Sequence, residues 1–186
     1  DGLKKAGDLV SLEQSERRTV RPTNPGVPGF TGATTTIHMS VQLVKPGEVA
    51  KAHRHTFTAI RFVIQGGGAC TTIEGERFSM APGDLILTPN WTWHDHYNGS
   101  NDDIIWLDGH DGPLTKLLEM VTVENFATKQ QRVEVSPDFS LNQYGFARPD
   151  DLAPSAADLP FRYPWDDTYR ALQKLAKAAG FAFFHI

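Results

Sequence analysis

The sequence predicts an all-β core, a sandwich or barrel of short strands, because segments of strand length follow one another at short intervals. Turns rich in Gly, Pro or Asn separate these segments, for example at residues 66–68 and 81–84. We find no alternation of strands with helices and no internal repeat. The predicted strand segments are residues 36–43, 56–65, 69–73, 77–80, 85–88, 92–96 and 104–107.

The first segment has one apolar and one polar face. Its residues alternate with the period of two that a strand requires, and Pro46-Gly47 ends the pattern. The apolar row is Ile37, Met39, Val41 and Leu43, and the polar row is Thr36, His38, Ser40 and Gln42.

The two flanks of this region have a different composition. Turn formers surround the charged patch Glu16-Arg17-Arg18, which predicts an N-terminal arm with little regular structure over residues 1–34. Residues 35–125 are then the barrel, within which the part after Pro113 fits either a short helix or a strand. Residues 126–186 are predicted to be a linker and a helix, from Asp166 to Gly180, that lead into a missing or partial second domain.

Composition excludes several classes of protein. With 40% hydrophobic residues, the 186-residue chain can bury a sizeable core, which excludes wholesale disorder. The net charge of −4, with no block of Lys or Arg, argues against a nucleic acid or a membrane as partner. The single cysteine, Cys70, cannot form an internal disulfide, so we expect a cytoplasmic protein. We also expect a homo-oligomer.

Four of the seven histidines fall in two groups, His53-Arg54-His55 and His94-Asp95-His96. Residues two apart on a strand point to the same face, so each pair can present both imidazoles to one cavity. A single histidine is more often structural, but two such pairs in one β domain indicate a metal site. Imidazole suits Fe, Zn, Cu and Ni alike, so the ligands alone do not choose the metal.

The residues around these pairs resemble the two motifs of the cupin family, whose fold is a small double-stranded β-barrel or jelly roll. Gly47 and Gly66 frame the first motif, and Gly83, Pro89 and Asn98 frame the second. Cupins often carry a glutamate ligand where this chain has Ala59 and Ile60, and a glycine where it has Trp91. Without the glutamate, the resemblance leaves three neutral ligands and open coordination positions. These ligands are His53, His55 and His94, with His96 as the alternative to His94.

Longer strings resemble the N-terminal cupin of the gentisate 1,2-dioxygenase family, which includes salicylate and 1-hydroxy-2-naphthoate dioxygenases. They are KPGEVAKAHRHTFTAIRFVIQG (45–66), PGDLILTPNWTWHDH (82–96) and IIWLDG (104–109). The resemblance implies a bicupin that binds Fe(II) through three histidines of its first barrel.

The same resemblance assigns a pocket for a small aromatic acid. Arg61 lies eight residues past His53, which in one regular strand is the same face, and it is predicted to bind the substrate carboxylate. Gln42 and Asp108 are predicted to line the pocket, and His96 to hydrogen-bond substrate oxygens. Arg17, or its neighbour Arg18, is expected to reach the substrate from the arm. The alternatives are a surface arginine, a solvent-facing glutamine and an aspartate satisfied by turn amides.

The leading hypothesis is therefore an Fe(II) oxidoreductase that degrades an aromatic compound with dioxygen. It would cleave the ring of an aromatic 2-hydroxycarboxylate between the carboxyl- and hydroxyl-bearing carbons, with gentisate giving maleylpyruvate. Salicylate and 1-hydroxy-2-naphthoate are alternative substrates. The rival from another class is a non-catalytic metal-binding cupin. Arg61 argues against that rival, because an arginine on the metal face is not a ligand and leaves the site open. A structural metal site is usually closed by a fourth ligand.

Overall fold

A computed structural model describes residues 2–15, 18–29, 32–144 and 161–179 of the protein. The strands in these ranges are β1 Thr19–Val20, β2 His38–Val44, β3 Val49–His55, β4 Ala59–Gln65, β5 Ala69–Ile73, β6 Glu76–Met80, β7 Leu85–Thr88, β8 His94–Asn98, β9 Ile104–His110, β10 Val123–Asn125 and β11 Arg162–Tyr163. The helices are α1 Gly2–Leu9, α2 Leu12–Ser15, α3 Gly112–Leu117, α4 Phe139–Tyr144 and α5 Trp165–Ala179.

The strands form two antiparallel sheets, which confirms the predicted all-β core. One sheet has six strands in the order β1-β2-β9-β4-β7-β11, and the other has five in the order β10-β3-β8-β5-β6. One apolar cluster draws on both sheets, with Val63 and Trp106 from the six-stranded sheet and Ile73 and Phe78 from the five-stranded sheet. In the described part of the chain, no helix combines the length and apolar character needed to cross a membrane.

Strand β3 was not among the predicted segments, although it carries the first histidine pair. Its sequence, VAKAHRH, has no apolar alternation, because histidines replace apolar residues on one face. The prediction for residues 56–65 was too long at its start. Residues 56–58 instead form the turn between β3 and β4, which belong to different sheets.

The predicted arm has more regular structure than expected. It contains α1, α2 and β1, and β1 extends the six-stranded sheet by pairing with β2. Arg18 holds the arm in place, because its guanidinium donates to the carbonyls of Gly7 and Val10 and pairs with Glu48. The prediction of an arm with little regular structure is therefore wrong for its first half.

The C-terminal flank agrees more closely with prediction. The segment after Pro113 contains both a helix, α3, and a strand, β10. The predicted linker helix is confirmed as α5. Residues 145–160 and 180–186 lie outside the described residues, and the domain limits at 34 and 125 stay a prediction.

Gly66, at the end of β4, is a position where the fold requires glycine. Its φ is +90°, and an added Cβ would lie 2.4 Å from the Asp103 carbonyl oxygen. We expect Gly66→Ala to lower the free energy of unfolding by about 2–3 kcal/mol in urea titrations. Gly67→Ala is the matched control, since an added Cβ there meets nothing within 4 Å. Equal stability of the two variants would contradict this account.

Candidate metal centre

Three histidines converge between the two sheets. His53 and His55 lie on β3, and His94 lies opposite His53 on β8. One ligand atom from each of the three lies within 4.8 Å of the other two. The ring centroids of His53 and His94 are 4.3 Å apart, and those of His55 and His94 are 4.8 Å apart. The geometry therefore groups His94, rather than His96, with the β3 pair.

Backbone carbonyls orient all three rings. The Nδ1 atoms of His53, His55 and His94 lie 3.0, 2.7 and 3.0 Å from the carbonyl oxygens of Lys51, Phe57 and Thr92. A carbonyl only accepts hydrogen bonds, so Nδ1 carries the proton in each ring. The lone pair is then on Nε2, and in metal sites such a hydrogen bond commonly fixes the tautomer that ligates.

The buried Nε2 atom of His94 indicates that the site fits a metal. Its side chain is fully buried, yet its Nε2 has no hydrogen-bond partner among the described residues. Burial lowers the pKa of His94 well below 6.5, and the charges of Arg61 and the neighbouring histidines lower it further. The neutral ring is the form that binds a metal, and a metal ion would satisfy the orphaned nitrogen.

Arg61 faces this cluster from the opposite sheet. On β4 the side chains of Ala59, Arg61 and Val63 are buried, whereas Ile60 and Phe62 are exposed on the outer face. The sequence argument that one regular strand carries His53 and Arg61 is therefore wrong, because a turn separates β3 from β4. Arg61 nevertheless lies within electrostatic reach of His94, since its charge contributes to the lowered pKa of that histidine.

The buried Arg61 guanidinium is paired within the protein. Its Nε forms an ion pair with Asp108 Oδ1 on β9 at 3.0 Å, and one of its terminal nitrogens donates a hydrogen bond to Thr88 Oγ1. Trp106 Nε1 donates to the second oxygen of Asp108 at 2.8 Å. These contacts fix both charged groups. The pairing that a buried arginine needs is thus supplied in part by Asp108, whereas the sequence analysis assigned it to an incoming carboxylate.

The other predicted pocket residues lie on the same inner faces. Gln42 is 2% exposed, and its Nε2 has no hydrogen-bond partner in the described ranges. His96 is 1% exposed, and its ring centroid lies 6.0 Å from that of His94 and 5.1 Å from that of Trp106. Arg17 lies outside the described residues, and Arg18 is occupied with the arm.

Sequence reasoning missed an aromatic row that continues the pocket. The rings of His38 and His110 stack with centroids 4.5 Å apart, and Phe57 lies 4.8 Å from His110 and 3.7 Å from His55. The alternation of the first predicted strand already places His38 on the face of Gln42. His110 is two residues after Asp108, so strand periodicity alone could have placed it on the face of Asp108.

A cavity of about 800 Å³ reaches two histidines of the cluster. Its walls include His53, His55 and Phe57, together with Leu12 of the arm, Val123 and residues 125–129. This volume is large enough for a small aromatic acid.

Comparison with known proteins agrees with this geometry. The family model described as "Cupin domain" matches residues 40–110. This part of the chain has the cupin fold. The predicted double-stranded barrel of that family is thereby confirmed.

The related proteins are ring dioxygenases. The chain is 40% identical over 178 residues to gentisate 1,2 dioxygenase 1 of Aquipseudomonas alcaligenes. The aligned residues make up 95% of this chain and 51% of that protein. It is 40% identical to the 1-hydroxy-2-naphthoate 1,2-dioxygenase of Nocardioides sp. (strain KP7), over 88% of this chain and 43% of that protein. The predicted resemblance to the gentisate 1,2-dioxygenase family is confirmed, and the chain spans about half the length of these curated relatives.

A solved structure supports the same relationship. The salicylate 1,2-dioxygenase of Pseudaminobacter salicylatoxidans superposes with a TM-score of 0.80 at 29% identity. The match covers 96% of this chain and 52% of that chain.

His110 should make the stability of the metal-free cupin depend on pH. Burial, followed by the charge of His38, lowers its pKa to about 4. Between pH 6.5 and 4 the unfolded chain therefore binds a proton that the folded chain excludes, and stability falls as pH falls. The parent should lose about 1 kcal/mol more stability than His110→Asn when the pH falls from 7 to 5, after a discount for the partial exposure of His110. Identical losses in urea titrations of parent and variant would contradict this.

Proposed function

We propose that this cupin forms the metal-binding barrel of an Fe(II)-dependent dioxygenase that cleaves the ring of an aromatic 2-hydroxycarboxylate. The observation that carries the proposal is the set of three carbonyl-oriented histidines, with the buried Arg61 of the opposite sheet within electrostatic reach of His94. His53, His55 and His94 would hold the metal. Gentisate is the proposed substrate and maleylpyruvate the product.

The donor set and the reaction class together favour iron. When bound, Fe(II) would supply electronic contact between the electron-rich ring and dioxygen, which Zn²⁺ cannot do because it has no redox chemistry. Three neutral imidazoles leave the full divalent charge in the site. Such a site attracts an anion that can chelate through two oxygens, as a carboxylate with a neighbouring hydroxyl can.

Arg61 would orient the substrate through its carboxylate. A guanidinium has five N–H donors, so the pairings with Asp108 and Thr88 leave donors for a substrate oxygen. Asp108 would hold the arginine in position. Such positioning of a bound substrate can supply several kcal/mol of barrier lowering.

Gln42 and His96 would manage the substrate oxygens. The Gln42 amide N–H₂ is a buried donor and would reach an oxygen of the bound acid. His96 lies beside His94 and would hold or take the proton of the ring hydroxyl as charge develops there. We propose Arg17 as a further substrate-binding residue, on the resemblance alone.

The names of the relatives support the choice of ring substrate. They are named for gentisate, 5-aminosalicylate, 5-nitrosalicylic acid and 1-hydroxy-2-naphthoate, which share a carboxylate next to a hydroxyl. Gentisate leads because several relatives are named for it. Oxygen uptake by the Fe(II)-loaded protein with a panel of hydroxybenzoates and hydroxynaphthoates tests this choice, and no uptake with any of them would reject the activity.

We further propose a cytoplasmic homo-oligomer whose metal barrel occupies residues 35–125, between an arm at 1–34 and a linker at 126–186. The apolar row Ile60, Phe62 and Ile64 supports an interface, since these side chains are 45–49% exposed on the outer face of the six-stranded sheet. Cys70, the single cysteine, is compatible with a reducing compartment.

Removing any one ligand should empty the metal site. We expect His53→Ala, His55→Ala and His94→Ala each to lose most of the iron after anaerobic Fe(II) loading, because two imidazoles hold the ion far more weakly than three. His96→Ala, the matched control from the same strand, should retain it. The measurement is iron stoichiometry, with circular dichroism to confirm folding. Loss of iron in His96→Ala with retention in His94→Ala would overturn the ligand assignment.

Arg61→Gln should weaken gentisate binding without changing iron content. The expected loss is about 2–4 kcal/mol, typical for one partner of a desolvated charge pair. An optical titration of the anaerobic Fe(II) protein with gentisate measures it. Arg162→Gln is the control, because Arg162 pairs with Asp84 at 2.9 Å on the edge strand β11. Unchanged affinity in Arg61→Gln would make Arg61 structural only.

A further inference from the structure

Arg54 occupies the position directly behind the histidine cluster. It lies between His53 and His55 on β3, so its side chain points to the outer face of the five-stranded sheet. There its guanidinium carbon lies 4.4 Å from the ring centroids of both Trp91 and Trp93. The cation is thus held between two aromatic rings, the most favourable partners for such a contact.

A third partner ties Arg54 to the neighbouring strand. Its Nε and a terminal nitrogen both donate to Glu124 Oε2, at 2.8 and 2.6 Å. Glu124 is the direct partner of Arg54 in the ladder between β10 and β3. Arg54 therefore connects β3, β10 and the segment that enters β8. We name Arg54, Trp91, Trp93 and Glu124 the outer clamp.

The backbone pairing of β3 and β8 is irregular next to the outer clamp. Pairing between β3 and β8 shifts register between Ala50 and His53, so the ladder is interrupted immediately before the first histidine. Trp91 has a φ of +61°, a conformation that a bulky residue rarely adopts, and its N–H donates to the His55 carbonyl at 2.7 Å. The side-chain contacts of the outer clamp therefore reinforce the spacing of the histidines beside an irregular stretch of the ladder.

The outer clamp also controls a carbonyl that orients His94. Thr92 lies between the two tryptophans, and its carbonyl accepts the Nδ1 proton of His94. Movement of the tryptophans would move this carbonyl and rotate the His94 ring. The same movement would change the separation between His94 and the pair on β3.

We propose that Arg54 is a positioning residue for the metal centre. Through the outer clamp it sets the separation and ring orientation of His94 relative to His53 and His55. The inference rests on the proposed metal site and adds to it a residue that touches neither metal nor substrate. Loss of Arg54 should leave the barrel folded but its three Nε2 atoms poorly arranged.

The test is a Co(II) titration of the metal-free full-length protein, because the visible spectrum of Co(II) reports coordination geometry independently of activity. Arg54→Met keeps the length of the side chain and removes its charge and donors. We expect the dissociation constant for Co(II) to rise about 10- to 100-fold, which is the usual effect of losing a partner that orients metal ligands. We also expect the visible spectrum of bound Co(II) to change. Arg54→Lys should fall between parent and Arg54→Met, because it keeps the cation but not the fork.

Two controls separate positioning from stability. Arg162→Met removes another paired arginine from the sheet edge and should bind Co(II) within twofold of the parent while lowering the unfolding midpoint. Glu124→Gln weakens the outer clamp without touching β3 and should bind Co(II) at least threefold more weakly. If circular dichroism shows that Arg54→Met is unfolded, the Co(II) affinity of Glu124→Gln becomes the test of the positioning role.

The outcomes are distinct. Parent-like affinity and spectrum in Arg54→Met, or in Glu124→Gln where Arg54→Met does not fold, would overturn the positioning role. Failure of the parent itself to bind Co(II) would instead reject the proposed metal site.

Discussion

The site depends on three hydrogen bonds from imidazole Nδ1–H groups to backbone carbonyls. Each carbonyl lies two residues from its histidine, at Lys51, Phe57 and Thr92. Because the contact is local, the backbone path within β3, in the turn after it and in the segment before β8 decides where each Nε2 points. The chemistry of the centre is therefore set by backbone geometry, and the rest of the barrel serves to hold that geometry.

The barrel interior is divided into a polar and an apolar half. Along β4 the inward residues change from Arg61 to Val63, and along the paired strand β9 they change from Asp108 to Trp106. The apolar half buries the core cluster, which provides the driving force for folding. The polar half buries groups that only pairing makes tolerable. The fold can thus carry charged residues inside because its other half supplies the stability.

The Arg61–Asp108 pair shows how stability and function interact. A buried ion pair contributes little net stability, since desolvation offsets much of the attraction, yet loss of one partner leaves an uncompensated charge. Asp108 is further fixed by Trp106, a residue of the apolar core. The candidate substrate-binding arginine is therefore connected, through Asp108 and Trp106, to the apolar core.

Much of the strand pattern was predictable because turn residues and alternation are local signals. Segments 69–73 and 85–88 coincide with β5 and β7, and the spacing of each histidine pair indicated a shared face. Strand β3 was missed because its inward residues change from Ala50 and Ala52 to His53 and His55 across a register shift, which breaks the period-two pattern.

The sequence by itself determined the all-β class, the two histidine pairs and the family resemblance. Only the tertiary structure decided that His94 joins the β3 pair, that Arg61 faces them from the other sheet, and that Arg18 holds the arm. It also brought Arg54 between two tryptophans that lie almost forty residues away in sequence. The physical reason is that periodicity assigns a side chain to a face, whereas its partner across the barrel depends on sheet order and register between distant segments.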